Sequence, residues 1–296
     1  MWGEIIIAVG ILTGLGLLFA IILAVAYKKL RVYEDPRIDT VEEMLPGSNC
    51  GACGQPGCRA FAEKVVGKEE QPSKCSVSSP DGLEKIANYL GVDAGNQEKR
   101  VARLLCAGGK EEAHNRASYK GGLSTCRGEA VVAGGPKDCN WGCLGLGDCE
   151  SVCDFDAINM SDNGLPVVDP DKCTACGDCV EICPKDLFVI MPIEQRLIVQ
   201  CRSLLEGDLA TDRCSVACNG CSRCASDAAP DVIKIENGLA RINYDLNHLA
   251  GPEATKRCPT GAIVWLESEQ QFAITEKDPL PLGRIDSQYD AETYYQ

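Results

Sequence analysis

The sequence predicts an α+β protein with one N-terminal transmembrane helix, a small four-cysteine domain and two cysteine-rich repeat units, the second of them degenerate. Three observations predict it: a long uncharged run opens the chain, 20 cysteines cluster within 296 residues, and a hairpin pattern beside the cysteines occurs twice. The predicted parts are an anchor (1–30), a four-cysteine domain (31–91), a linker with two isolated cysteines (92–135), the two repeat units (136–192 and 193–266) and an acidic, disordered tail (267–296).

The composition argues against a nucleic-acid-binding protein and favours a metal-binding one. The formal net charge is −14, from 29 basic and 43 acidic residues, and this argues against nucleic-acid binding, which needs clustered Lys and Arg. Disulfide scaffolds are usually secreted chains below ~100 residues, whereas clustered Cys-x-x-Cys pairs in a larger intracellular chain favour metal. We therefore interpret the cysteines as metal ligands in a reducing compartment.

The first thirty residues predict a retained membrane anchor. Ile5 to Ala26 is an uncharged run of 22 residues, and a bilayer-spanning helix needs ~20. Glu4 precedes the run where a signal peptide would carry basic residues, and no small-residue cleavage site follows. Lys28 and Lys29 come directly after it, so the positive-inside rule places the body on the cytoplasmic side of the cell (inner) membrane, with a single pass.

The most specific motif is Cys173-x2-Cys176-x2-Cys179-x3-Cys183-Pro184. This spacing is typical of [4Fe–4S] ferredoxins, in which three cysteines wrap one cluster and the fourth ligates the neighbouring cluster. Zinc also uses Cys-x-x-Cys pairs, but a third cysteine in phase has no role in such a site.

A companion motif with looser spacing precedes it, in the order Cys139, Cys143, Cys149 and Cys153. Exchange of the fourth ligands between the two motifs predicts two clusters in a ferredoxin-like unit. The predicted sets are Cys139, Cys143, Cys149 and Cys183 for one cluster, and Cys153, Cys173, Cys176 and Cys179 for the other.

The second unit keeps one complete ligand set. Its surviving cysteines are Cys218, Cys221, Cys224 and Cys258. The lost positions, Ala228, His248, Gly251 and Ala254, would together have formed the other set. The loss of a matched set predicts a degenerate ferredoxin-like unit with one cluster.

Two short apolar runs joined by Asn-Gly accompany the motifs in each unit, at Asn163-Gly164 and at Asn237-Gly238. Asn-Gly favours a type I′ turn, because both residues adopt positive φ readily, and it therefore predicts a β-hairpin.

Another four-thiolate set lies upstream, on Cys50, Cys53, Cys58 and Cys75. Intervening glycines allow the backbone to approach a cluster and donate N–H groups to its sulfurs. We expect a fourth [4Fe–4S] cluster here, nearest the membrane, with a structural zinc site as the alternative.

Four cysteines remain: Cys106, Cys126, Cys201 and Cys214. They flank the first unit, and our hypothesis is that they bind a fifth cluster. The alternative is four buried, inert thiols.

The sequence contains neither a G-x-x-x-x-G-K-[ST] loop nor a G-x-G-x-x-G loop after a strand, so it signals no nucleotide pocket. Its two histidines and the lack of a nucleophile constellation leave no candidate catalytic residue. One-electron transfer is the chemistry that the chain can perform.

The order of these parts resembles the B subunit of the Rnf complex, most closely over residues 45–54 and 142–149, within a match from Ile5 to about Leu266. That family belongs to membrane ferredoxin:NAD⁺ oxidoreductases coupled to sodium or proton transport. The resemblance implies that this chain takes electrons from reduced ferredoxin and passes them toward membrane and flavin-bearing, NAD⁺-reducing subunits. The missing cluster of the second unit departs from the family's usual pattern.

Two other functions fit parts of the pattern. One is a polyferredoxin arm of a different membrane hydrogenase or reductase, which the glycine-rich four-cysteine domain beside the anchor argues against. The other is a membrane-bound redox sensor, which predicts an output module that the sequence does not show.

Overall fold

The computed structural model describes residues 2–30, 34–96, 98–119, 123–267 and 270. Helix α1 runs from Trp2 to Leu30, and its segment Val9–Lys29 is long and apolar enough to cross a bilayer. The described apolar side chains of α1 are exposed rather than packed against the rest of the chain. Such a surface is stable in lipid and not in water, so the helix agrees with the predicted anchor.

The four-cysteine domain is a small helical unit. It contains α2 (Pro36–Met44), α3 (Cys58–Val66), a short 3-10 helix (Pro72–Lys74) and α4 (Pro80–Leu90). Its buried core includes Phe61 and Ile86 and extends to Cys75, so apolar packing and the cysteines share one interior.

The first repeat unit is built on two separate strand pairs. Strand β1 (Arg100–Leu104) pairs antiparallel with β4 (Phe188–Pro192), and β2 (Ile158–Met160) pairs antiparallel with β3 (Pro166–Val168). Three short helices carry cysteines beside them: α5 (Cys126–Val131), α6 (Asp148–Ser151) and α7 (Asp178–Ile182).

The second unit repeats this plan. Strand β5 (Leu197–Val199) pairs antiparallel with β8 (Ile263–Trp265), and β6 (Ile233–Glu236) pairs with β7 (Leu239–Ile242). Helices α8 (Gly207–Thr211) and α9 (Arg223–Asp227) and two 3-10 helices (Tyr244–Leu249 and Pro252–Thr255) complete it. The predicted α+β class is confirmed.

Residues 92–135 are not a linker, contrary to the sequence-based prediction. They contain β1, which completes the first unit's sheet, and α5, which brings Cys126 into the unit. Two arginines, Arg100 and Arg103, interrupt the apolar residues of β1 and hide the strand pattern. Arg103 is nevertheless only 1% exposed.

The predicted disordered tail begins too early. Gln270 is 2% exposed, and its side-chain amide binds the backbone of Leu104. Its Oε1 accepts the Leu104 N–H at 3.0 Å and its Nε2 donates to the Leu104 carbonyl at 2.6 Å. The amide thus replaces a neighbouring strand. The rest of the predicted tail, apart from Glu267, lies outside the described residues.

The two predicted hairpins differ in their turns. In the second unit Asn237 and Gly238 both have positive φ and connect directly paired residues, as the Asn-Gly prediction requires. In the first unit Gly164 has positive φ, but Met160 pairs with Pro166, so the loop is longer. Asn163 is instead bound to Glu112, through its Nδ2 and Oε2 at 2.8 Å.

Apolar packing occupies the part of the second unit where the first has its additional cysteine set. Ala228, Leu246, Ala250 and Ala254 pack against the buried core of that unit. Two of these residues, Ala228 and Ala254, stand at positions where the repeat pattern would place cysteines, so apolar packing fills that part of the unit.

Candidate iron–sulfur sites

Five cavities are each lined by four cysteines, and together they account for all 20. Every cysteine is a free thiol in the structure. We name the sites A (Cys50, Cys53, Cys58, Cys75), B (Cys153, Cys173, Cys176, Cys179), C (Cys126, Cys143, Cys149, Cys183), D (Cys106, Cys139, Cys201, Cys214) and E (Cys218, Cys221, Cys224, Cys258).

Sites A, B and E contain the cysteine sets predicted from spacing. The other two predicted sets are wrong because Cys126 and Cys139 change places between them. Cys126, rather than Cys139, lines the cavity with Cys143, Cys149 and Cys183. Cys139 takes the place of Cys126 beside Cys106, Cys201 and Cys214.

The register of the cysteine loops explains the exchange. The segment from Cys143 to Cys149 aligns without a gap with that from Cys173 to Cys179, and both end in Gly-Asp-Cys. At the position of Cys176 the first loop carries Leu146. That loop therefore supplies two cysteines rather than three, and Cys126 completes the set. The shared Gly-Asp-Cys ending was the sequence signal that could have revealed this.

Asp148 holds Cys126 at site C. Its Oδ1 accepts the Cys126 N–H at 2.9 Å, and its Oδ2 accepts the Arg127 N–H at 3.1 Å, at the first turn of α5. The Arg127 guanidinium in turn donates to the carbonyl of Glu181 at 3.0 Å. These contacts fasten α5 beside α6 and α7, which places the Cys126 sulfur near those of Cys149 and Cys183.

Different contacts draw Cys139 toward site D. The Asp138 N–H donates to the His114 carbonyl at 2.9 Å, and the Lys137 ammonium donates to the Gly108 carbonyl at 2.5 Å. Both partners lie in the segment that follows Cys106. The chain just before Cys139 is therefore held against this segment rather than beside α6.

The loops of sites C and E also pack in the same way against their hairpins. A Cβ on Gly145 would lie 2.7 Å from the Gly164 carbonyl oxygen, and a Cβ on Gly220 would lie 3.0 Å from that of Gly238. Both loop glycines have positive φ. The hairpin turn therefore packs so closely against the cysteine loop in each unit that only glycine fits at this position of the loop.

Backbone N–H groups lie at several of the sulfurs. Ala157 donates to Cys153 at 3.4 Å and Leu187 to Cys183 at 3.5 Å. Each donor is four residues after its cysteine, and the Ala262 N–H stands in the same relation to Cys258. Hydrogen bonds of this kind stabilise anionic sulfur and tune the potential of a bound cluster.

Burial opposes ionisation of most of these thiols. It raises the pKa of Cys149, Cys179 and Cys201 to about 12 and that of Cys176 to about 11. Cys258 differs: burial raises its pKa, but N–H donors from Ile263, Thr260 and Ala262 and the Thr260 hydroxyl together lower it below the usual value. A buried, protonated thiol releases its proton when a cation binds, as ligation requires.

The cysteines of each site surround a space rather than meet at a point. Across the part of the chain that is described, no three His, Cys, Asp or Glu side chains are arranged to hold a single metal ion. Four thiols around one space are a donor set that an iron–sulfur cluster or a four-cysteine zinc site can use.

Contacts between neighbouring sites place them in the order A, B, C, D, E. Ser76, next to Cys75 of site A, donates to the Thr174 carbonyl within the site B loop at 2.6 Å. Between sites B and C, Cys149 and Cys179 belong to the same buried cluster of side chains. These contacts join the sites into one continuous row as far as C.

Site D continues the row toward site E. The Cys143 N–H of site C donates to the Cys106 sulfur of site D at 3.4 Å. The Cys218 N–H of site E hydrogen-bonds the Cys201 sulfur of site D. Residues of adjacent sites are thus in direct contact at both junctions.

Known protein families match two parts of the chain. A model of a putative Fe-S cluster family matches residues 45–77, and a 4Fe-4S binding domain model matches residues 165–188. The first covers site A and the second includes Cys173, Cys176, Cys179 and Cys183.

Curated relatives match most of the chain. It is 43% identical to the B subunit of the Na(+)-translocating ferredoxin:NAD(+) oxidoreductase complex of Acetobacterium woodii, over 89% of this chain and 78% of the relative. It is 38% identical to the B subunit of the proton-translocating complex of Clostridium ljungdahlii, over 88% and 92%, respectively. It is 32% identical to the B subunit of the ion-translocating oxidoreductase complex of Methanosarcina acetivorans, over 89% of this chain and 99% of the relative.

The chain belongs to the family of Rnf B subunits. As an Rnf B subunit it is an iron–sulfur electron-transfer component of an ion-translocating oxidoreductase complex. The resemblance inferred from sequence is thereby confirmed. The N-terminal helix agrees with a membrane-associated complex.

Proposed function

We propose that sites A, B, C and E each hold a [4Fe–4S] cluster and that the chain takes electrons from reduced ferredoxin. It passes them to the membrane and flavin-bearing subunits that reduce NAD⁺. The observation that carries this proposal is the four cysteines around each cavity. A bound cluster supplies reversible one-electron storage, and the chain's own residues fix its position and surroundings.

The donor chemistry fits such a cofactor. The four sites have thiol donors, N–H groups directed at sulfur at sites B, C and E, and apolar walls that include Phe61 at site A and Ile158 at site B. Thiolates and N–H···S contacts are the means by which proteins hold iron–sulfur clusters and set their potentials. At site A the match of residues 45–77 to a putative Fe-S cluster family supports a cluster over the zinc alternative.

We place the body in the cytoplasm, beneath a single-pass anchor in the cell (inner) membrane. Lys28 and Lys29 at the end of α1 support this orientation. Site A, which follows the anchor in sequence, is then the site nearest the membrane.

Electrons enter at site E in this proposal. Of the 20 cysteines, Cys221 alone is exposed. Arg223, the first residue of α9 and two positions after Cys221, is also exposed. An exposed ligand allows a protein donor to approach a cluster, and a neighbouring cation attracts an acidic carrier.

The direct test is reduction of the full-length chain, purified in detergent without oxygen, by catalytic amounts of reduced ferredoxin. We expect at least about 16 iron atoms and as many sulfides per chain, with bleaching of the visible absorbance by reduced ferredoxin. A colourless chain, a chain that carries zinc instead of iron, or iron centres that ferredoxin does not reduce would contradict the proposal.

Arg223→Glu tests the entry point. Reversal of this exposed charge is expected to slow ferredoxin-dependent reduction about 10-fold at low salt, with a smaller effect at high salt because screening weakens charge steering. Reduction by dithionite should not change. The matched control is Arg241→Glu on β7, which is also exposed but does not adjoin a cysteine; equal slowing by both variants would place the entry elsewhere.

A further inference from the structure

We infer that site D binds an additional [4Fe–4S] cluster and that this cluster is the bridge by which electrons pass between the two repeat units. The inference rests on the proposed function. It concerns Cys106, Cys139, Cys201 and Cys214, which line one cavity and lie outside both matched family segments.

The four cysteines come from four separate segments of the chain. Cys106 follows β1, Cys139 precedes α6, Cys201 follows β5 and Cys214 follows α8. Both repeat units therefore contribute to the site. Convergence of four thiols from such distant segments is not a by-product of one local motif.

The backbone around site D approaches the cysteine sulfurs closely and donates hydrogen bonds to them. A Cβ on Gly108 would lie 2.8 Å from the Cys214 sulfur, so glycine is needed for this close approach. The Ser203 N–H donates to the Cys201 sulfur at 3.4 Å. The Cys143 N–H donates to the Cys106 sulfur at the same distance. These are the contacts described above at the other sites.

A buried cation provides an independent indication of an anionic ligand. Lys137 is 6% exposed, and its ammonium donates to the Gly108 carbonyl, in the segment that follows Cys106, at 2.5 Å. Among the described residues, no carboxylate lies within ion-pair distance of it. The carboxylate of Glu112 is buried too: its Oε2 accepts N–H groups from Gly109 and Asn163, and its Oε1 has no hydrogen-bond partner in the described part of the chain.

An uncompensated buried ammonium is strongly destabilising. Four neutral thiols would place no anion in contact with the Lys137 ammonium. A cluster with four thiolates carries a net charge of about −2 in its oxidised form, which compensates the lysine. The cation therefore favours a cluster at site D over four inert thiols.

Site D also occupies the gap in the row of sites. Site C belongs to the first unit and site E to the second, and site D contacts each of them through an N–H···S bond. Each electron that crosses leaves one of these neighbours and enters the other through site D. The ultimate donor is reduced ferredoxin and the acceptors are the partner subunits.

Cys214→Ala in the full-length chain tests both parts of the inference. We expect iron to fall from about 20 to about 16 atoms per chain. With catalytic reduced ferredoxin, only the clusters on the ferredoxin side of the empty site D should then bleach. Dithionite should still bleach all remaining clusters. The matched control is Leu205→Ala, which packs against the same apolar group as Cys214 and should keep all the iron.

Lys137→Met tests the site with every cysteine in place, should Cys214→Ala fail to fold. The loss of a nearby positive charge disfavours the reduced state, so potentiometric EPR should show a lower midpoint potential for at least one cluster at unchanged iron content. Lys137→Arg should restore the potential. A wild-type chain with about 16 iron atoms, or unchanged potentials in Lys137→Met, would overturn the inference. Either result would leave ferredoxin-dependent reduction of the other four sites intact.

Discussion

Removal of iron from the purified chain is expected to unfold both repeat units, residues 100–266. Their strands hold only three to five residues each, and they form four separate two-stranded sheets. Isolated two-stranded hairpins are marginally stable at best in water. The cores around them include Cys143, Cys149 and Cys179, so loss of the clusters opens the interior itself.

Anaerobic chelation followed by circular dichroism and thermal melting measures this effect. We expect the cooperative transition of the repeat units to disappear, because the free energy of metal binding is a large part of their folding free energy. Helix α1 should remain helical in detergent. Helices α3 and α4 should melt at lower temperature but keep a residual transition, since Phe61, Val65 and Ile86 form an apolar core there. Addition of iron and sulfide should restore the cooperative thermal transition. An iron-free chain that melts in the same transition as the iron-loaded chain would show that cluster binding does not stabilise the fold.

How far the sequence predicted the sites depends on the distance between ligands along the chain. Sites B and E each take three of their four ligands from one regular Cys-x2-Cys-x2-Cys loop. The spacing of the cysteines therefore identified those two sets. Sites C and D take ligands that are far apart, and spacing alone could not decide between Cys126 and Cys139. The deciding interactions are tertiary: the carboxylate of Asp148 at α5 and the ammonium of Lys137 at Gly108.

Two features of the fold were hidden for the same reason. Strand β1 carries Arg103, which is buried in the assembled unit and interacts electrostatically with the neighbouring Cys173 sulfur. Gln270 is polar and follows an acidic stretch, yet its amide binds both backbone groups of Leu104. Local composition indicated a linker and a tail, whereas hydrogen bonds to distant backbone place strand β1 and Gln270 in the folded unit.

Cys126→Ala and Cys139→Ala are expected to remove different clusters. Each variant should lose about four iron atoms, and each should lower ferredoxin-linked electron transfer at least about 10-fold, since even groups that only orient ligands contribute ~10–100-fold. Cys126→Ala should empty site C, whose Cys149 belongs to the same buried cluster of side chains as Cys179 of site B. Cys139→Ala should empty site D and leave sites B and C intact.

EPR of the reduced chains separates the two variants. Sites B and C are neighbours, so their reduced clusters should couple magnetically and broaden each other's signals. The coupling should be absent in Cys126→Ala and present in Cys139→Ala. The ligand sets predicted from spacing require the opposite result, since they assign Cys139 to the cluster beside site B. Asp148→Asn is the control that keeps every thiol: it weakens the hold on the first turn of α5, so it should loosen site C without altering site D. The role of Cys126 thus depends on one carboxylate that positions a short helix, and a change at that carboxylate should affect the same cluster as a change at the cysteine.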